Sequence, residues 1–479
     1  MAISIIQHPL YSTLPVGQQI IFSVNEPNIV ASKFRVKFTV DIHISNRSIN
    51  LANIDDRIGT YKTTPNNQGV GIFDIRSIVE TFVSPDNVGI DSSVPAGYFN
   101  IPSEYKSTTV PHPIHVIDHY AVSPNCLRYC ALLFKIEYSD TAEGPLILPA
   151  DQVPSNELGS ASYLIFNGVL QFDDILKLSG NNYGYDMSAF QMTNVTKSFL
   201  TNSPIIQYAR LTDYGTLPFL NFQPTSNDRI SSVKFSYYDI NGSLLGAENP
   251  SLNSATGASQ SSSDWVEKRI NYVGAFPGNL RNWSTLFKGL VAADTIAYYT
   301  VQAYTQSNAA EASKIYTINI KCPNEKGYEG IRLTWLNQWG TWDYYTFNMK
   351  STRTINTKRT PYTQLGGTWN LGSFKIQGYK GGKKNFRVNS KEKIKMNTDF
   401  VTEEEAVWFQ ELINSSEVYT LTGYTESTAV GVEDEITYKY VQPVTVTTSS
   451  FIKKTIANDK LIQYNIEVEK SRVRRTQSV

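Results

Sequence analysis

The chain has 479 residues, of which 41% are hydrophobic and 18% charged, and its formal net charge is zero. That length exceeds one hydrophobic core and points to about two to four domains. The composition excludes a disordered chain, and three cysteines exclude a disulfide scaffold.

Aromatic residues make up 12%, with 29 Tyr and 7 Trp, which leans toward β-structure and large contact surfaces. No apolar run approaches the roughly 18–20 residues that cross a membrane. Met1 to Leu14 carries no Lys or Arg and has an early proline, so it lacks the pattern of a signal peptide. The expectation is a soluble chain, made in a reducing compartment, with no membrane insertion.

In chain order, the clearest strand is Phe34 to Ser45. Phe34, Val36, Phe38, Val40, Ile42 and Ile44 alternate with Arg35, Lys37, Thr39, Asp41, His43 and Ser45. Strict period-two alternation predicts one buried and one wet face. Ile20 to Val24, Ile72 to Ile75 and Leu132 to Tyr138 are further strands, and Ile75 to Val83 fits a short helix. Residues 1–150 are therefore expected to form a β-sandwich. Residues 151–224 hold one apolar stretch, Tyr163 to Leu170, and a turn-rich patch, Ser179 to Asp186. They are expected to be a connector packed on the first domain.

Residues 225–322 have the length of a fibronectin- or immunoglobulin-like sandwich. Val233, Phe235 and Tyr237 alternate with Lys234, Ser236 and Tyr238, and Asn241-Gly242 supplies a positive-φ pair for a tight hairpin. Ala297 to Thr305 and Lys314 to Ile320 close the sheet. The Ser/Asn/Gly-rich stretch Asn249 to Asp264 is expected to be an exposed loop. Residues 323–479 are expected to be β-rich with one helix at 403–414. Thr402 and Glu405 form a capping box there, and Trp408, Phe409, Leu412 and Ile413 make its apolar stripe. Val418 to Leu421, Tyr438 to Val446 and Leu461 to Val468 follow as strands, and Lys470 to Val479, basic and polar, as a loose tail or docking arm. The fold class is mainly β: several β-sandwich (fibronectin/Ig-like) domains in tandem with a few short helices.

Charge is segregated along this neutral chain. Between Lys350 and Lys395 lie twelve bases: Lys350, Arg353, Lys358, Arg359, Lys375, Lys380, Lys383, Lys384, Arg387, Lys391, Lys393 and Lys395. The single acid among them is Glu392. Such a block points to a polyanion or an acidic protein partner, with a solvated basic surface as the plain alternative. Lys380, Lys383, Lys384, Arg387, Lys391, Lys393 and Lys395 are the candidate interface residues. Just upstream, Trp335, Trp339, Trp342, Tyr344 and Tyr345 surround Gly340 in a predicted aromatic hairpin. It is either a stacking platform beside a basic groove or, the preferred reading, a core or subunit interface.

Catalytic and metal patterns are weak. His112, His115, His119, Cys126 and Cys130 are zinc-ligand types, but their spacing matches no established ligand set and prolines interrupt the segment. Gly378 to Lys384 lacks the first glycine and the closing hydroxyl of a phosphate loop. Asp239 to Gly242 begins like a calcium loop, yet Pro250 stands where its glutamate belongs. There is no Gly-x-Ser-x-Gly elbow. The expectation is no enzyme, no metal and no cofactor.

The run Trp-Leu-Asn-x-x-Gly-x-Trp-Asp-Tyr-Tyr-x-Phe, Trp335 to Phe347, resembles a signature of virion proteins in tailed phages of Bacteroidota and related marine bacteria, including crAss-like phages. Ile165 to Val169, Phe199 to Pro204 and Asp213 to Leu217 are similar to that family's middle, and Trp408, Leu412, Ser415, Pro443 to Val446 and Leu461 to Tyr464 to its end. The similarity is loose, covers most of the chain, and brings no active site. It implies a tail, collar or baseplate component of the virion, made in the host cytoplasm and repeated in a homo-oligomeric ring. Other tail or portal proteins would be its neighbours, and DNA in a channel a possible non-specific contact. A receptor- or glycan-binding tail adhesin is the alternative, and a virion-associated hydrolase a third.

Overall fold

The structure is a computed structural model that describes residues 3–45, 49, 56–85, 114, 117, 119–123, 125–148, 153–154, 162–221, 230–252, 270–305, 310–321, 327–368, 372–421, 441–454 and 462–475. The chain is mainly β, with several sheets and a few short helices. It forms two compact units. One is Met1–Lys321 with Leu336–Asp343, and the other comprises Cys322–Trp335, Tyr344–Gly423 and Tyr438–Val479. The boundaries expected at 150 and 224 fall inside the first unit, and the second begins at Cys322.

In the first unit, a sheet ordered Thr13–Pro15, Tyr163–Phe166, Leu127–Ser139, Phe34–Ser45, Arg57–Thr63 faces a three-stranded sheet of Ser4–Gln7, Ile21–Asn25 and Val70–Asp74. Phe134 of the larger sheet lies 5.7 Å from both Phe22 and Phe73 of the smaller one, ring centre to ring centre. Phe38, Val40, Ile42, Leu132, Ile136 and Ile165 complete this core. Strand Tyr163–Phe166 comes from the expected connector. It is inserted between Thr13–Pro15, which it meets in parallel, and Leu127–Ser139. Its four residues are all buried, so it is part of the sandwich and not a segment laid upon it.

Strand Phe34–Ser45 has the expected bounds, but its polar side is not wet. Thr39, Asp41 and His43 are buried. Long side chains on the flanking strands cover them: Lys135 bonds Asp41 at 2.7 Å, Thr60 donates to the same carboxylate, and Arg57 lies 3.6 Å away. Phe34 is exposed instead of buried, because the pairing slips between Phe34 and Lys37, where Arg35 takes a left-handed φ of 53°.

Burial raises the Asp41 pKa, but the Lys135 and Thr60 hydrogen bonds and the Lys135 and Arg57 charges together hold it below the usual aspartate value. A depressed folded pKa gives stability that is present above the unfolded pKa and lost as pH falls through the folded one. Asp41→Asn is therefore expected to destabilise the protein by about 1–3 kcal/mol at neutral pH, since Lys135 and Arg57 still reach water. The gap to the parent chain should close below about pH 4. Urea titrations of both proteins across that range check this, and a gap independent of pH would refute it.

Besides a two-stranded hairpin of Leu176–Ser179 and Asn182–Tyr185, the rest of the first unit pairs a five-stranded sheet with a three-stranded one. The first runs Ile206–Arg210, Tyr316–Lys321, Tyr298–Thr305, Ile230–Tyr238, Leu244–Glu248, and the second Thr216–Leu220, Ile270–Gly274, Tyr120–Ser123. Buried Tyr120 links them: its hydroxyl accepts from Val233 N and donates to Pro250 O. Strands from the expected first domain, connector and third segment thus share sheets, which is why the chain does not divide at 150 or 224. Ile206–Arg210 lies parallel to Tyr316–Lys321, and two short helices, Pro277–Trp283 and Thr285–Ala292, follow Ile270–Gly274. The Asn241-Gly242 turn closes the Ile230–Tyr238 hairpin as expected. However, only Gly242 has positive φ, and a register shift beside Tyr238 marks a type I turn with a bulge. Of the expected loop Asn249 to Asp264, residues 253–264 lie outside the described residues.

The second unit is one seven-stranded sheet, ordered Trp342–Phe347, Ile331–Leu336, Val418–Leu421, Val441–Val446, Asn465–Lys470, Gly382–Asn397, Ser351–Gln364. Helix Glu405–Asn414 packs on it through Ala406, Trp408, Phe409 and Leu412. The capping box forms: the Glu405 carboxylate accepts from Thr402 N at 2.6 Å, and Thr402 Oγ1 accepts from Glu405 N at 3.4 Å.

Candidate interaction arm

The basic block folds into the two longest strands of the second unit. Ser351–Gln364 and Gly382–Asn397 pair antiparallel from Ser351 opposite Met396 to Gln364 opposite Gly382. Threonine recurs along the outer strand, and β-branched side chains favour the extended backbone. Pro361 sits where the register shifts, on an edge strand, the position a sheet tolerates for a residue without an N–H.

Among the described residues, only the root of this ribbon pairs with a further strand. Lys393 to Asn397 pair with Asn465 to Glu469, and Ser390 exchanges two backbone bonds with Arg474. The described part of the expected loose tail is thus joined to the sheet by that bridge. Beyond Ser390 the ribbon runs on for eight residues to Gly382, roughly 27 Å of strand at ordinary rise. At its end, Thr368 N bonds Lys375 O and Gln377 N bonds Gly366 O, forming a smaller second hairpin. From Thr352 to Thr363 every residue of the outer strand is exposed, as are Gly382 to Arg387 of the inner one.

Directly opposed residues share a face of the ribbon. One face presents Thr352 with Lys395, Thr354 with Lys393, Asn356 with Lys391, Lys358 with Asn389, Thr360 with Arg387, and Tyr362 with Lys384. Each of these pairs carries one base and no acid. The Arg475 guanidinium adds to this face by donating to Asn389 Oδ1 at 2.7 Å.

Root and tip differ in their countercharges. At the root, Lys391 meets Glu469 at 2.6 Å and Lys393 meets Glu467 at 3.0 Å. On the opposite face Arg353 lies between Glu329 at 2.7 Å and Glu392 at 2.8 Å, and Lys470 meets Glu392 at 2.9 Å. The Lys470 hydrogen bond, helped by Arg353, holds the Glu392 carboxyl below the usual range against burial, and Lys393 and Thr447 do the same for Glu467. Among the described residues, Lys358, Arg359, Lys375, Lys380, Lys383, Lys384 and Arg387 form no ion pair. Three of the twelve bases, Arg353, Lys391 and Lys393, are thus answered inside their own unit, all at the root, and the bases of the distal part are not. Beside these bases stand exposed Tyr362, Leu365, Phe374, Ile376, Tyr379 and Phe386, with Ile376 at 84% and Tyr379 at 74%. The Lys380 ammonium lies 5.8 Å from the Tyr379 ring centre.

The aromatic hairpin is interior. Trp335, Trp339, Trp342 and Tyr344 are buried. Trp335 packs 5.2 Å from Trp408, and Trp339 packs 4.4 Å from Phe190. Tyr345 makes edge contacts with Phe347, Trp408 and Phe409, and its hydroxyl accepts from Asp399 N. The three tryptophans and Tyr344 therefore present no exposed ring to a base or a sugar, which counts against the stacking-platform reading, and Tyr345 is half-buried.

Of the histidine–cysteine group, His112 and His115 lie outside the described residues. Cys126 and Cys130 are buried thiols without a disulfide, and burial pushes the Cys130 pKa up to about 12. Among the described residues no group of His, Cys, Asp and Glu is placed to hold a metal ion. No helix among them is long and apolar enough to cross a membrane.

Compared with known protein families and with curated proteins, the chain matches none.

Proposed function

We propose that this protein is a non-enzymatic structural component of a phage virion, in the tail, collar or baseplate region, that assembles as an oligomeric ring. The observation that supports it is the arm: a ribbon exposed on both faces, with unanswered bases and large apolar side chains at its tip. A lone chain gains nothing from exposing such a surface, and apolar patches of this kind ordinarily mark an interaction site. The resemblance of Trp335 to Phe347 and its companion segments to phage virion proteins supplies the setting. Other tail or portal proteins, and DNA passing non-specifically through a channel, are the further contacts this reading allows. The adhesin alternative loses its aromatic grip, because the hairpin rings are interior.

Negative-stain images of the purified full chain are expected to show closed rings of one symmetry. Antibody labelling of virions should place them on the tail axis. A chain that stays monomeric at every concentration and is absent from purified virions would sink this reading.

A further inference from the structure

Both halves of a head-to-tail contact are present on the second unit. The arm tip combines Leu365, Phe374, Ile376 and Tyr379 with Lys375, Lys380, Lys383 and Lys384. At the other end of the inner strand, past Asn397, the chain enters a shoulder of opposite character. Phe400 is 50% and Val407 46% exposed there, and exposed Glu403 and Glu404 lie between them in sequence. Residues 401–421 hold five acids and no Lys or Arg. Apolar side chains framed by acids match apolar side chains framed by bases.

One chain cannot close this contact on itself. Ile394 and Met396 anchor the ribbon root in the core beneath helix Glu405–Asn414. From Ile394 to Gly382 is twelve residues of strand, about 40 Å at ordinary rise. The inner strand runs from tip to root, and the chain reaches the shoulder only after leaving the root end. A paired ribbon cannot double back over that length.

We infer that the arm tip docks on the Phe400–Val407 shoulder of a second copy of this chain, and so makes the repeating contact of the assembly. The inference rests on the ring reading above and gives it an interface. A tip that meets a different surface on its neighbour makes a heterologous contact, which closes into a ring or propagates as a filament. The root lysines already pair with glutamates of their own sheet, and the tip repeats that chemistry between copies. Nucleic acid is the lesser candidate for the same bases. Aliphatic Leu365 and Ile376 at the tip suit a protein surface, and the acidic shoulder supplies the countercharge within the same sequence.

Charge exchange tests it on the full chain, with assembly followed by light scattering against protein concentration. K380E/K383E/K384E and, separately, E403K/E404K are each expected to raise the concentration for half-assembly on the order of a hundredfold, since like charges then face each other. Combining all five substitutions should bring assembly back near the parent value. The neutral pair I376S/Y379S should weaken assembly without altering charge, and circular dichroism confirms that each variant is folded. Assembly of the tip variant at the parent concentration, or no recovery in the combined variant, overturns the inference while leaving the ring reading standing. Loss of double-stranded DNA retention with assembly intact also overturns it, in favour of a nucleic-acid arm. A parent chain that never assembles overturns the ring reading itself.

Discussion

Trp408→Ala is expected to destabilise the second unit by about 3–5 kcal/mol, the ordinary range for truncating a buried tryptophan. Trp408 is 2% exposed. Its ring lies 5.2 Å from Trp335, 5.3 Å from Phe409 and 5.7 Å from Tyr345. It therefore joins the helix to strands Ile331–Leu336 and Trp342–Phe347 at once. A ten-residue helix holds little structure alone, so its order depends on this face. The surrounding rings are planar and closely placed, and they cannot collapse into the void without losing their edge contacts. Urea unfolding read by tryptophan fluorescence and circular dichroism should show the loss. Ile376→Ser, at the exposed arm tip, should stay within about 0.5 kcal/mol of the parent. A Trp408→Ala effect no larger than that of Ile376→Ser would mean the helix is not held by this contact.

Such packing was partly legible in the sequence. Helix Glu405–Asn414 could be found because its signals are local: a capping box, then apolar residues at helical spacing. Strand Phe34–Ser45 could be bounded by its alternation, but alternation does not say what covers the polar side. That depends on Lys135 and Arg57, which arrive from other strands. Helices Pro277–Trp283 and Thr285–Ala292 were not foreseen, since seven and eight residues around a proline and a glycine are too few to show a period. The insertion of Tyr163–Phe166 into the first sandwich is a choice of partner made in three dimensions, and four apolar residues carry no address.

The candidate arm was legible as charge but not as shape. The count of bases identifies Lys380 to Lys395, yet register decides which of them share a face. The countercharges Glu467 and Glu469 stand more than seventy residues away in sequence from the lysines they meet. Leu365, Phe374, Ile376 and Tyr379 were missed because their irregular spacing reads as turn. The available signal was the absence of any acid from Tyr344 to Lys391 in a segment that still carried large apolar residues.

Gly340→Ala is expected to destabilise the first unit by more than about 3 kcal/mol, well beyond the roughly 1–2 kcal/mol for placing an alanine in left-handed backbone. Gly340 has φ +70°, and a Cβ there would stand 1.7 Å from the backbone oxygen of Asn167. Neither side can yield cheaply. The Asn337 side chain accepts from Trp339 N and Thr341 N, and donates to Leu200 O. The single Thr341 hydroxyl proton has two acceptors within reach, Asn337 Oδ1 and Leu200 O, each at 2.9 Å, and Val169 N donates to Gln338 O at 2.8 Å. Moving the turn far enough to admit a methyl group breaks several of these bonds where the polar groups are buried, and each one lost adds its desolvation. Gly180→Ala isolates the backbone part of the effect, because Gly180 has φ +57° with nothing within 4 Å of its would-be Cβ. Thermal unfolding of both variants beside the parent decides the matter. Equal destabilisation by the two would mean the turn at Gly340 moves freely, whereas a larger loss at Gly340 locates the constraint in the Asn167 contact and ties the glycine of the Trp-rich run to packing.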